Sequence, residues 1–212
     1  MNADAFWAVI GTYNQHTWPL QVALLIVVAL SLLLSYTQRI RWAAKCTLGI
    51  ANLFIGIGFF AWYGTEPIQR FFALPLYLLT GRQLLYESWR HRDDPPSRPN
   101  GLQALLLLLY LVYPLVSLLL GNTFPRMVTH IMPCPVISLS IAVYAGYARK
   151  NRLLLALLTI WGLTGVKSVI FQAYEDIILL VCGIYCLILL VNEIRRPTEA
   201  RCDFTSEKGA GS

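Results

Sequence analysis

Residues 126–147 read RMVTHIMPCPVISLSIAVYAGY. The stretch is apolar and long enough to cross a bilayer, yet it carries a histidine, a cysteine and two prolines near its start. Pro133 has no N–H for the carbonyl of Thr129, and Pro135 has none for that of Ile131. A spanning helix tolerates this only where neighbours satisfy the freed carbonyls. If the stretch is one helix, Met127, His130, Cys134 and Ser138 are spaced by three, four and four residues and share a face. That stripe offers a thioether, an imidazole, a thiol and a hydroxyl.

The remaining chain supports a bundle around it. Of 212 residues, 57% are hydrophobic and 13% are charged, against roughly 25% charged in soluble domains. Apolar runs of span length recur at about 18–36, 46–63, 71–89, 102–120, 153–171 and 177–194. Residues 1–17 suit an interfacial segment, with Trp7, Tyr13 and Trp18 at headgroup depth. Residues 18–196 form the transmembrane domain, and the polar tail at 197–212 reads as disordered and cytoplasmic. The opening residues lack the basic n-region of a cleavable signal, so the first span would serve as an uncleaved one.

The third run holds Pro75, Arg82 and Glu87. Residues 82–92 could lie in the interface behind a re-entrant segment, but charge counting argues for a span. The loops after spans one, three and five, with the tail, hold thirteen of the seventeen basic residues: Arg39, Arg41, Lys45; Arg90, Arg92, Arg98; Arg149, Lys150, Arg152; Arg195, Arg196, Arg201, Lys208. The opposite loops hold only Arg70 and Arg126. The positive-inside rule then gives an all-α membrane protein: a seven-transmembrane-helix bundle, N-terminus outside and C-terminus cytoplasmic. The net charge of +6 lies in short loops without aromatic interleaving, so nucleic acid is not expected as a partner.

In this topology His130, Cys134 and Lys167 fall in the outer half, with Glu175 and Asp176 on an outer loop. Asn52 and Cys182 lie inside spans. These residues, with Ser138, are the candidates for binding an ion or small solute, because an ionisable group at membrane depth is costly unless it is used or paired. Met127, His130, Cys134 and Cys182 would suit copper(I) or zinc(II). Three plainer uses stand beside these. Cysteine packs as a small apolar residue, Lys167 can form an ion pair with Glu175 or Asp176, and Glu87 is an approximate same-face partner for Arg82. Cys134 with Cys182 or Cys186 could also carry thiol redox chemistry in an accessory enzyme. A structural or regulatory subunit is the remaining class. Small residues four apart, Ser31 with Ser35 and Ala142 with Gly146, permit close helix approach within the chain or in a homo-oligomer.

No Walker loop, zinc-protease helix or Gly-x-Ser-x-Gly elbow occurs. Retinal proteins share the seven spans and outside N-terminus, but they carry their lysine on the last span, and 177–194 has none. At NADAFWAVIGTYNQHTWP (2–19) and HIMPCP (130–135) the chain resembles an uncharacterised family of small bacterial multi-pass proteins, sometimes named transporter permeases. The resemblance spans about 2–196. It implies a bacterial inner-membrane location and supplies no activity or catalytic residue.

Overall fold

The computed structural model describes residues 3–209, with side chains described as far as residue 195. The expectation for the tail at 197–212 therefore lies outside the residues whose side chains are described. Seven helices make up the described fold, and no strand occurs among these residues beyond an isolated bridge between Pro96 and Tyr147. Helix α1 is Ala3–Tyr36. Helix α2, Ala43–Phe54, continues as a π-helix over Ile55–Tyr63. A short π turn, Gln69–Ala73, leads into α3, Leu74–Arg90. Helix α4 is Gly101–Leu119 and α5 is Pro133–Tyr144. Helix α6, Arg152–Leu163, tightens into a 3-10 turn at Thr164–Lys167 before a last turn at Ser168–Phe171. Another 3-10 turn, Tyr174–Asp176, opens α7, Ile177–Gly209.

Local signals explain several boundaries. Asn100 caps α4 by accepting from Gln103 N, and Asn151 caps α6 by accepting from Leu153 N and Leu154 N. Gly121, at φ +92°, takes the left-handed conformation that ends α4. Five helical stretches are long and apolar enough to cross a membrane: Ala3–Tyr36, Ala43–Tyr63, Gly101–Leu119, Arg152–Phe171 and Tyr174–Arg195. Helices α3 and α5 are shorter.

Polar and apolar residues are distributed inside out. On α4 the buried stripe is Gln103, Leu106, Tyr110, Tyr113 and Ser117, while Leu105, Leu108, Leu111, Leu115 and Leu118 are exposed. On α1, Asn14, Gln21, Ser31 and Ser35 are buried, while Leu20, Ile26, Leu30 and Leu33 are exposed. Contiguous apolar faces of this extent are rare on monomeric aqueous proteins. The apolar helices are compatible with a membrane protein. Ser31, Ser35, Ala142 and Gly146 are all buried within the chain itself.

Helix α5 is the centre: every residue but Cys134 is buried, and α2, α4, α6 and α7 all pack on it. Glycines allow the two closest crossings. A Cβ on Gly162 would stand 2.5 Å from Gly183 Cα, where α6 meets α7, and one on Gly81 would stand 2.9 Å from Gly49 O, where α3 meets α2.

The loops after α1, α3 and α5 meet at one end. Gln38 Nε2 donates to Pro96 O, Arg41 to Asp93 O, and Ser97 N and Oγ to Gly146 O. A buried charge cluster lies beneath them. Lys45 Nζ donates to His91 O and sits 4.3 Å from the Tyr147 ring centroid. Glu87 does not pair with Arg82, which is exposed. It is buried, and its oxygens take Asn151 Nδ2 at 2.9 Å and His91 Nδ1 at 2.8 Å.

Two expectations change at the opposite end. First, α1 begins at Ala3 rather than near residue 18, so residues 3–17 and the first expected span are one helix with Pro19 inside it. Second, 126–147 is not one helix. Met132 is extended (φ −131°, ψ 166°), and α5 starts at Pro133. The two changes have one cause. The chain between α4 and α5 is irregular, and the early part of α1 satisfies its backbone. Asn14 Nδ2 donates to Pro125 O at 2.8 Å and to Met127 O at 2.9 Å, and Tyr13 Oη–H donates to Ile131 O at 3.0 Å. Gln21 accepts from Thr129 Oγ1 while donating to Asn14 Oδ1. Ile131 is one of the carbonyls that the prolines free, and its donor comes from 118 residues away.

Candidate functional site

A cavity of about 160 Å³ opens at the end where α1 begins. Beside regular stretches of α1 and α6, the segments that border it are ones that leave α-helical geometry. Phe59 and Phe60 come from the π-helical end of α2, and Gln69 and Phe72 from the π turn before α3. Thr164 and Lys167 come from the 3-10 turn of α6, and Pro133, Cys134 and Pro135 from the abrupt start of α5. Stretches of π-helix are rare and recur at functional sites, because a widened turn redirects side chains that an α-helix would stack.

The wall is mostly aromatic. Phe6 of α1 stacks on Phe171 of α6 with centroids 5.1 Å apart. Trp161 makes edge contacts with Phe60 at 5.4 Å and Tyr77 at 4.9 Å. These pairings hold the rings in fixed orientations. The Trp161 indole N–H is buried and makes no hydrogen bond of ordinary geometry; the Cys134 sulfur lies beside it.

The polar part centres on Asp176. Its Oδ1 accepts from the Tyr113 hydroxyl at 2.6 Å, and its Oδ2 from the Cys134 thiol at 3.2 Å. Tyr77 Oη–H donates to Pro133 O at 2.6 Å, which fixes the first turn of α5 under Cys134. Asp176 therefore ties α4, α5 and the start of α7 together at the cavity. Lys167 is exposed and borders the same cavity, which places it at the mouth.

The residues singled out from the sequence divide into groups. Cys134, Lys167 and Asp176 line this cavity. Ser138 sits one turn below Cys134 on α5 and donates to Cys134 O at 3.0 Å. Glu175 is buried beside the cavity; its Oε1 accepts from Ser117 Oγ at 2.8 Å, and its Oε2 is buried without a partner. No salt bridge joins Lys167 to Glu175 or Asp176 among the described residues, since both acids turn to α4 and α5 instead. Asn52 lies at the α2–α5 contact, donating to Leu48 O and Ser140 Oγ.

The remaining candidates stand elsewhere. His130 borders a separate groove with Trp18 and Pro114. Its ring meets Tyr110 edge-on at 5.0 Å, and Nε2 is 3.2 Å from Leu111 O. Met127 lies on the irregular segment with His130, so the expected stripe of Met127, His130, Cys134 and Ser138 is reduced to the last two. A helix that starts at Pro133 cannot carry the first two on its face. Cys182 is buried on α7 with Cys186, whose thiol faces Leu155 O, and both are free thiols, as is Cys134. No group of three or more His, Cys, Asp or Glu among the described residues is placed to hold a metal ion.

Several participants escape a sequence reading. Trp161, Phe60 and Tyr113 look like ordinary span residues, and only the fold turns them onto one cavity. Asn14 and Gln21 left a weak signal, as polar residues beside a long apolar run.

No curated protein and no solved structure matches the chain. One family profile does, over residues 3–201, and by this match the chain belongs to the family of unknown function DUF6064.

Proposed function

We propose that the protein is a seven-span protein of the bacterial inner membrane that binds a small organic solute in the aromatic cavity, as a carrier or solute-binding subunit. The N-terminus is outside, the basic loop end faces the cytoplasm, and the cavity opens outward. The inside-out surface and the gathering of basic loops at one end support the topology. One observation carries the functional reading: a fixed aromatic wall and two ionisable side chains meet where α2, α3, α5 and α6 all leave regular α geometry. Broken or irregular helices at membrane depth are tolerated where they line a cavity, and they are a recurring way to build solute sites. The site is largely apolar with few polar groups, as ligand sites generally are. The gathered side chains favour an organic solute over a thiophilic ion.

The test is a thermal-shift screen of detergent-purified protein against a chemically diverse set of small metabolites, with Phe60→Ala as the cavity variant. Saturating ligand at about 100 times Kd raises stability by about 2.7 kcal/mol. At least one compound class should shift wild type and not the variant. A screen in which no compound shifts well-folded wild type refutes the reading. A fluorophore placed at either terminus, with quenching by a membrane-impermeant reagent, tests the orientation separately.

A further inference from the structure

We infer that the cavity takes a small zwitterion of the α-amino-acid type, its ammonium held beside Asp176, its carboxylate by Trp161 N–H and Lys167, and its apolar side chain against the aromatic wall. The inference rests on the reading of the cavity as a ligand site and adds the ligand's chemistry.

Gln69 Oε1 is occupied, accepting from Thr65 N and Glu66 N, which leaves its Nε2 as a neutral donor. The Thr164 hydroxyl donates to Trp161 O. The Tyr113 hydroxyl and the Cys134 thiol each give their single proton to Asp176. Beside the neutral Gln69 amide and Ser168 hydroxyl, two charged groups and one buried donor on the wall keep capacity. Asp176 receives one donor on each oxygen, and a carboxylate offers about four acceptor positions, so it can take another donor. Trp161 Nε1–H, buried at the cavity wall, makes no hydrogen bond of ordinary geometry, and the Cys134 sulfur beside it is only a weak acceptor. Buried donors in native proteins are normally satisfied, so an unmatched one bordering a cavity points to a ligand acceptor. Lys167 brings three N–H donors and a full positive charge at the mouth.

An anion alone would satisfy Trp161 and Lys167 but would meet Asp176 as a like charge. A cation alone would satisfy Asp176, and the aromatic faces would attract it, but it would leave Trp161 unmatched and meet Lys167 at the mouth. A molecule with both charges on one short head group fills all three needs. The apolar majority of the wall then selects an apolar side chain, which Phe6, Phe59, Phe60, Phe72 and Phe171 would cover.

The experiment is equilibrium binding to the detergent-purified protein with three probes of one shape: L-phenylalanine, phenethylamine and 3-phenylpropionate. Phenylalanine should bind at least about tenfold tighter than either singly charged probe, a difference of about 1.4 kcal/mol. Trp161→Phe and Lys167→Gln should weaken phenylalanine and 3-phenylpropionate without weakening phenethylamine, which Lys167→Gln relieves of a like charge. Asp176→Asn should weaken phenylalanine and phenethylamine and spare 3-phenylpropionate. That variant also removes a structural acceptor, so the two anion-side variants carry the test if it fails to elute as a single species. Binding of either singly charged probe as tightly as phenylalanine overturns the zwitterion and leaves the cavity as a ligand site. Binding of none of the three overturns it too, and the metabolite screen then decides separately whether the cavity binds any solute.

Discussion

Replacing Asn14 with alanine should loosen the outer end of the bundle. The Asn14 amide donates to two carbonyls of the irregular segment, Pro125 O and Met127 O, at 2.8 and 2.9 Å. The side chain is fully buried, and alanine would leave both carbonyls without their donor. A buried acceptor left without a partner costs about 1–3 kcal/mol. Two such losses, eased by partial relaxation of the segment, come to about 2–4 kcal/mol. For a chain of this length each kcal/mol moves the melting temperature by about 2–4 °C, so the expected fall is roughly 5–15 °C. Asn14→Asp sharpens the test, because a carboxylate cannot donate and would set negative charge against both carbonyls; it should cost more than alanine. Gln15→Ala, on the exposed side of the same turn, should stay within about 0.5 kcal/mol of wild type. The assay is apparent melting in detergent, with hydrogen exchange followed over residues 121–132. Protection of that segment should fall before the rest of the bundle opens. If Asn14→Ala melts within about 1 °C of Gln15→Ala, with exchange unchanged, the account of how α1 holds the segment is wrong.

Other perturbations test the rest of the framework. Gly183→Ala would set a Cβ 2.4 Å from the Gly162 carbonyl carbon, where only backbone can move aside. Such overpacking costs about 1–3 kcal/mol, and the α6–α7 separation it forces should also weaken any ligand of the cavity, read as a melting shift together with a lost ligand response. At the basic end, Glu87→Ala removes the shared acceptor of His91 and Asn151 beside buried Lys45, and should cost about 1–3 kcal/mol for the hydrogen-bonding groups left unmatched. Glu87→Gln keeps one acceptor oxygen and should recover part of that loss in the same melting assay. Equal melting of the two variants would show that the cluster does not depend on a hydrogen-bond acceptor at this position.

Much of the fold is local and therefore legible in the chain. Runs of leucine, valine and isoleucine long enough to span, separated by short polar turns, specify helices without reference to any partner. Basic residues alternating between loops specify which turns share an end, and the contacts between the loops after α1, α3 and α5 agree with that alternation. The unusual backbone of 126–147 was legible too, since two prolines two residues apart must release carbonyls. The answer to that release was not. A proline-bearing stretch can stay helical with water or neighbouring helices at its gaps, or it can unwind and take donors from a distance. Here it unwinds as far as Met132, and Tyr13 and Asn14 supply the donors from more than a hundred residues away.

The candidate site divides along the same line. Cys134, Lys167 and Asp176 stood out because ionisable and thiol groups are conspicuous in apolar sequence, and all three reach the cavity. His130 and Met127 stood out for the same reason and do not join them, because their grouping assumed a helical register that the backbone abandons. The aromatic wall was silent in the chain, since phenylalanine and tryptophan are expected in any span. The sequence by itself determined the helical class, the apolar character of the bundle faces and the segregation of charge, because each depends on composition over about one helix length. The tertiary structure alone decided where helical geometry breaks and which side chains face the resulting space, because those outcomes depend on hydrogen-bond partners and ring contacts between segments far apart in the chain.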